Sequence, residues 1–235
     1  MTAKELVEQL RPLGRNAYKK VLLQHGVPEP VLGVKIEDLK KIQKQVKQDY
    51  RLALELYETG VYDAMYLAGL VADDARMTKR DLRRWVAKAH CAPLREYTVP
   101  WVAAGSRYGR ELACEWVESD QEGVAAAGWA TFSSLAGITA DAELDLAEWA
   151  QLLRRVQDTI HGQPNRVRYV MNGFVIAAGA YVAALSDLAV QTARQVGRVT
   201  VDMGGTACKV PDAEAYIRKV QGRGAVGKKR KSAKC

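Results

Sequence analysis

Tyr50–Asp73, YRLALELYETGVYDAMYLAGLVAD, decides the fold class. Leu52, Leu54, Leu56 and Tyr57 give its first half an apolar helical stripe, Gly60 supplies a C-terminal turn, and Val61–Ala72 resumes as a second short helix. The same pattern extends outward in both directions. Lys35–Val46 puts Ile36, Leu39, Ile42 and Val46 on one face and Lys40, Lys41, Lys44 and Lys47 on the rest. Thr78–Ala89 opens on a capping residue, with Asp81 three positions on. Arg95–Gly105, Arg107–Val117, Gln121–Leu135, Asp141–Ile160, Asn165–Ala180, Ala183–Val196 and Pro211–Gln221 follow. Only Arg198–Met203 alternates like a strand, and one short segment makes no sheet.

Eleven or twelve short helices joined by tight turns predict an all-α fold, either a globular bundle or stacked pairs. Pair starts near Lys35, Val61, Arg95, Gln121 and Asn165 favour stacking, at roughly the 40-residue HEAT period. The expectation is a HEAT-like or ARM-type α-solenoid, a superhelix of antiparallel helix pairs over residues 1–221. Its concave face offers a large surface to a long ligand.

Composition excludes the extremes. With 235 residues, 48% hydrophobic and 26% charged, the chain is long enough for a core and too polar for a membrane protein. Its four cysteines, Cys91, Cys114, Cys208 and Cys235, lie far apart and no pair has metal-ligand spacing, so neither a metal nor a cofactor is expected. Met1–Leu10 lacks the apolar stretch of a secretion signal, which points to the cytoplasm. Of the net charge of +8, six units sit in Gly222–Cys235, which holds Arg223, Lys228, Lys229, Arg230, Lys231 and Lys234 and no acid. That segment, residues 222–235, reads as a disordered basic tail with an affinity for polyanions.

GVKIEDLKKI (Gly33–Ile42), ELYETGVYDAMYLAGLVAD (Glu55–Asp73), NRVRYVMNGFVIAAGAYV (Asn165–Val182) and TVDMGGTACKVPDAEAYI (Thr200–Ile217) resemble the AlkD-type DNA alkylation repair family, the HEAT-like repeat DNA glycosylases. The resemblance implies a basic concave face holding double-stranded DNA, alkylated or distorted, with a bacterial-type, nucleoid-associated location. Catalytic members of that family release N3- and N7-alkylpurines, stabilising an oxocarbenium-like sugar with a carboxylate. The family's Trp/Asp pair falls on Pro93 and Tyr97, so neither residue is retained. Its second Trp falls on Phe174, and its backbone-contacting Arg has no match in GVAAAGWATF (Gly123–Phe132).

Glu96 is the only acid between Asp81 and Glu111, and Tyr97 and Trp101 are four apart on one helical face. These three, with Phe174, are the candidate catalytic residues; the alternative for Trp101 and Phe174 is core packing. Arg80, Arg84 and Lys88 form a stripe at i, i+4 and i+8 suited to phosphates, and Arg166 and Arg168 open another helix. Arg84, Lys88, Arg166 and Arg168 are expected on one concave surface. Lys209, in the glycine-containing MGGTACK loop, and the tail residues Lys228, Lys229 and Arg230 complete the DNA-binding candidates. Three functions stay open for a monomeric chain: a DNA glycosylase, a non-catalytic module for distorted or branched DNA, and a protein–protein scaffold.

Overall fold

The structure is a computed structural model that describes all residues, Met1–Cys235. It holds thirteen α-helices and no strand: α1 (Ala3–Leu10), α2 (Asn16–Gln24), α3 (Ile36–Val46), α4 (Tyr50–Glu58), α5 (Tyr62–Val71), α6 (Lys79–Lys88), α7 (Val99–Gly105), α8 (Gly109–Trp116), α9 (Glu122–Ile138), α10 (Leu146–Thr159), α11 (Asn165–Tyr181), α12 (Ser186–Val196) and α13 (Ala213–Gly222). The first two add to those expected from periodicity. Thr78 caps α6 as its position predicts, accepting from Asp81 N at 3.2 Å while the Asp81 carboxylate accepts from Thr78 N.

From Tyr50 onward the helices alternate between two rows. An outer row of α4, α6, α8 and α10 is laced by ion pairs: Arg84 and Lys88 to Glu58, Lys79 to Glu111, Arg83 to Glu115, Arg110 to Glu148 and Arg155 to Glu118. α12 continues that row against α10. In the inner row, α5, α7, α9, α11 and α13, the first four are far more apolar. All ten residues of α5 are buried, as a helix without a polar face must be. Pairs therefore begin at Tyr50, Lys79, Gly109, Leu146 and Ser186. The expected starts near Val61, Arg95, Gln121 and Asn165 are the second helices of these pairs, because a periodicity reports spacing and not which helix faces outward.

Two apolar cores fill the space between the rows. In the first, Tyr57 stacks on Trp85 at 4.1 Å and donates its hydroxyl hydrogen to the Trp85 carbonyl at 3.0 Å. In the second, Trp129, Phe132, Trp149 and Phe174 meet with ring centroids 5.3–6.3 Å apart. Glycines set the closest approaches. A Cβ on Gly128 of α9 would lie 2.7 Å from the Val117 nitrogen at the end of α8. Asp63 of α5, fully buried, accepts from Leu32 N at 2.6 Å and Val34 N at 2.7 Å and so fixes the loop before α3.

Leu94–Thr98 winds as a π-turn that runs into α7, with Val99 N donating to Leu94 O. Pro100 explains it: lacking an N–H, it cannot close the regular bond to residue 96, and the wider turn absorbs the gap. Arg198–Met203, the one strand-like stretch, is not a strand. It belongs to a loop laid over the start of α11, where Asn165 donates to Asp202 O at 2.8 Å and accepts from Asp202 N at 2.7 Å.

The basic tail is not the disordered end that its composition predicts. After α13 the chain turns back and crosses the C-terminal ends of the inner helices. Gly227 N donates to Ala180 O of α11 at 3.0 Å, and Arg230 N to Gly137 O of α9 at 2.7 Å. Lys229 Nζ reaches Ala136 O at 2.9 Å and Asp141 at 2.8 Å; Lys234 Nζ reaches Ala72 O, just past α5, at 2.7 Å and Asp74 at 2.7 Å. Ala233 is 3% exposed. The carbonyls at a helix end have no partner within the helix and carry its negative dipole end, so lysine ammoniums and tail N–H groups are their complement. Gly105 and Gly137 make the room: a Cβ there would strike the Asp74 carboxylate at 2.3 Å and the Arg230 guanidinium at 2.8 Å. Burial pushes the Asp74 pKa up to about 6 despite the opposing pull of Lys234.

Candidate functional site

The inner row leaves an open groove between α7, α9 and α11. Its floor repeats at helical spacing, with Tyr97 from the π-turn and Trp101 from the first, Ala130 and Ser134 from the second, and Tyr169, Gly173, Ala177 and Tyr181 from the third. Arg230, Ala233 and Cys235 of the tail wall one side, enclosing a cavity of about 430 Å³. Tyr97 is 44% exposed and its ring lies 5.9 Å from Trp101, which stands edge-on to Tyr66 at 5.6 Å. Trp101 thus serves both the core and the groove wall. Desolvation, with Tyr169 beside the hydroxyl, holds the Tyr97 pKa up at about 12, so the groove keeps a neutral phenol at ordinary pH.

Glu96 is the only acidic side chain lining this cavity, and it is not free. The π-turn points it inward, where Arg166 donates from Nε to Oε1 at 2.7 Å and from Nη2 to Oε2 at 2.6 Å. Its side chain is 3% exposed against 27% for Arg166. Burial raises the Glu96 pKa, and the arginine pulls against that shift without cancelling it; the carboxylate pays more for its depth than the guanidinium, whose own pKa the pair raises. Glu122 accepts from Arg166 N at 2.7 Å, so the start of α11 is already capped by a carboxylate.

Phe174 does not reach the groove. It is fully buried in the second aromatic core, with Trp129 at 5.3 Å and Trp149 at 5.5 Å, because its position on α11 is one step round from the half-buried, groove-lining Gly173. The expectation that Arg84, Lys88, Arg166 and Arg168 share a concave surface is also overturned. Arg80, Arg84 and Lys88 lie on α6 in the outer row, two of them tied to Glu58, while Arg166 is spent inside on Glu96. Arg168 is half-buried, with Asn165 Oδ1 at 3.4 Å. Lys209 is exposed beside a separate cavity between α12, the long loop and α13. In the tail, Lys229 is anchored inward on Asp141, whereas Lys228 and Arg230 are exposed, as is Lys231.

Positive charge therefore gathers at one rim of the groove, while at the other two arginines are matched by two carboxylates. At the C-terminal ends of the inner helices stand Lys228, Lys231 and Arg230, the last 5.5 Å from the Tyr181 ring centroid. At the N-terminal ends, Arg95, Arg166 and His90 line a smaller cavity of about 240 Å³ with Glu96 and Glu122. Gly123 lies beneath the Arg95 guanidinium, since a Cβ there would meet its Nε at 2.5 Å. His90 is held neutral by desolvation and by Arg95. Such a groove takes flat rings and sugar faces on its floor and anions at the edge formed by the tail. The row Tyr169, Gly173, Ala177, Tyr181 was absent from the expected site, although its strict four-residue spacing is visible in the sequence.

Residues 6–201 match the family described as DNA alkylation repair enzyme. An uncharacterized protein of Listeria innocua and another of Listeria monocytogenes are each 32% identical over 228 residues, which cover 95% of this chain and 99% of theirs. A solved structure is 34% identical with a TM-score of 0.92, covering 100% of both chains; it is described as a new family of proteins related to the HEAT-like repeat DNA glycosylases with affinity for branched DNA structures.

Proposed function

The chain belongs to the DNA alkylation repair family and has its HEAT-like fold, and from that premise we propose that it binds double-stranded DNA as a monomer and recognises distortion or branching without cleaving the glycosidic bond. A backbone runs along the cationic rim formed by the tail, and the aromatic floor meets sugars and bases where the duplex opens. The observation that carries this reading is the state of Glu96. A glycosylase releasing an alkylated purine needs a carboxylate beside the developing sugar cation. The one acidic side chain in the cavity is instead buried and bidentately paired to Arg166.

Two measurements on the full chain test it together. Binding to a four-way junction and to a plain duplex is expected to weaken with salt, because each phosphate contact displaces counterions. N-methylated duplex DNA is expected to release no alkylpurine. Release that Glu96→Gln abolishes would make the protein a glycosylase, and binding indifferent to salt would leave the groove to a protein partner.

A further inference from the structure

The cavity in the groove is closed on one side by the chain's own tail, and this points to a more specific ligand than duplex DNA. We infer that it receives one unstacked nucleobase, swung out of a distorted or branched duplex. This rests on the DNA-binding reading above and narrows it to a part of the DNA.

Its volume of about 430 Å³ falls in the range of about 300–1,000 Å³ typical of small-ligand pockets, far too small for a duplex and adequate for a single base with its sugar. Tyr97, Trp101, Tyr169 and Tyr181 supply ring faces from two helices, and every base has a π-face to offer them. Between them the floor is made of Ala130, Gly173 and Ala177, and a Cβ on Gly173 would meet nothing within 4 Å, so a flat ring can lie close to the backbone. Selection for a nucleic-acid base over another flat apolar ring comes from the mouth. Arg230 lines the cavity beside the Tyr181 ring, and Lys228 and Lys231 next to it are exposed, whereas the nearby Glu96 carries no uncompensated charge. A base delivered there arrives with its phosphates among those cations. A branch point or bulge supplies the unstacked base without the cost of breaking a pair.

The test uses a duplex carrying one unpaired 2-aminopurine, the same duplex fully paired, and the full-length protein. The bulged DNA is expected to bind about 5- to 150-fold more tightly than the paired one, the span of a single base stacked on aromatic side chains. Its fluorescence is expected to fall on binding as the base stacks. Tyr97→Ala and Tyr181→Ala, at exposed and half-buried positions, are expected to remove most of the preference and the quenching; Tyr181→Phe retains both. Salt-dependent duplex binding with no preference for the bulge, or a preference that both alanine variants keep, would overturn the base pocket and leave the DNA-binding reading standing. Absence of salt-dependent binding to either DNA would overturn both.

Discussion

Replacing Arg166 by Met keeps the volume of the side chain and strips Glu96 of its partner. The carboxylate loses two charge-assisted hydrogen bonds, at 2.7 and 2.6 Å, at a site where its side chain is only 3% exposed. Breaking such a pair costs about 3–5 kcal/mol, because the remaining charge stays buried. For a domain of this size that lowers Tm by about 6–20 °C. The loss has a pH signature. Burial already holds the folded Glu96 pKa above its ordinary value of 4.5, and the arginine is the chief opposing influence, so the variant's pKa rises further. An acid with a raised folded pKa binds its proton more tightly when folded; its penalty is absent below the unfolded pKa and grows as pH rises through the folded one. The Tm gap between Arg166→Met and wild type should therefore be widest at pH 8 and narrow on going to pH 5. Glu96→Gln alone should cost less, about 1 kcal/mol, since Arg166 still reaches water, and the double variant should return to within about 1 kcal/mol of wild type. Thermal unfolding followed by circular dichroism at the two pH values reads all of this. An Arg166→Met variant within about 3 °C of wild type at pH 8, or an equal gap at both pH values, would refute the buried-pair reasoning.

The other expectations concern the tail, the packing and the charge. Asp74 should titrate near pH 6 by carboxyl carbon NMR, and Lys234→Met should raise that value, since the lysine is the group lowering it. Gly128→Ala should cost about 1–3 kcal/mol by driving a methyl into the Val117 backbone 2.7 Å away; Gly173→Ala, with open space above it, should stabilise by about 0.5–1 kcal/mol. Denaturant midpoints separate the two. Phe174→Ala should cost about 3–5 kcal/mol in the same assay and leave the DNA affinity of the folded protein unchanged. Arg84→Ala should alter neither DNA affinity nor its salt dependence, whereas Lys231→Ala should reduce the slope of log K against log salt by about one if that lysine meets a phosphate.

Helix content was legible because each segment carries its own signals. The Thr78–Asp81 box, the turn at Gly60 and the α5 segment, apolar but for Asp63, can be recognised from neighbouring residues alone. Tyr97 and Trp101 were legible as one face for the same reason. What could not be read locally is where a polar face points. Arg80, Arg84 and Lys88 form the same stripe whether they meet phosphates or carboxylates, and only the placement of α4 beside α6 gives two of them Glu58. Glu96 and Arg166 are 70 residues apart, and nothing in either neighbourhood marks them as partners.

The sequence by itself settled that this chain is a run of short amphipathic and apolar helices, and which family's pattern it follows, because hydrophobic spacing and capping act over a few residues. Tertiary structure decided which helices form the groove, that its floor is aromatic and its one acidic side chain neutralised, and that a tail rich in lysine is docked. Charge looks solvated when it is counted along a chain. Across the fold, Lys234 finds the carbonyl of Ala72, 162 residues away, and helix-end carbonyls and half-buried aspartates provide for the tail what water would otherwise supply.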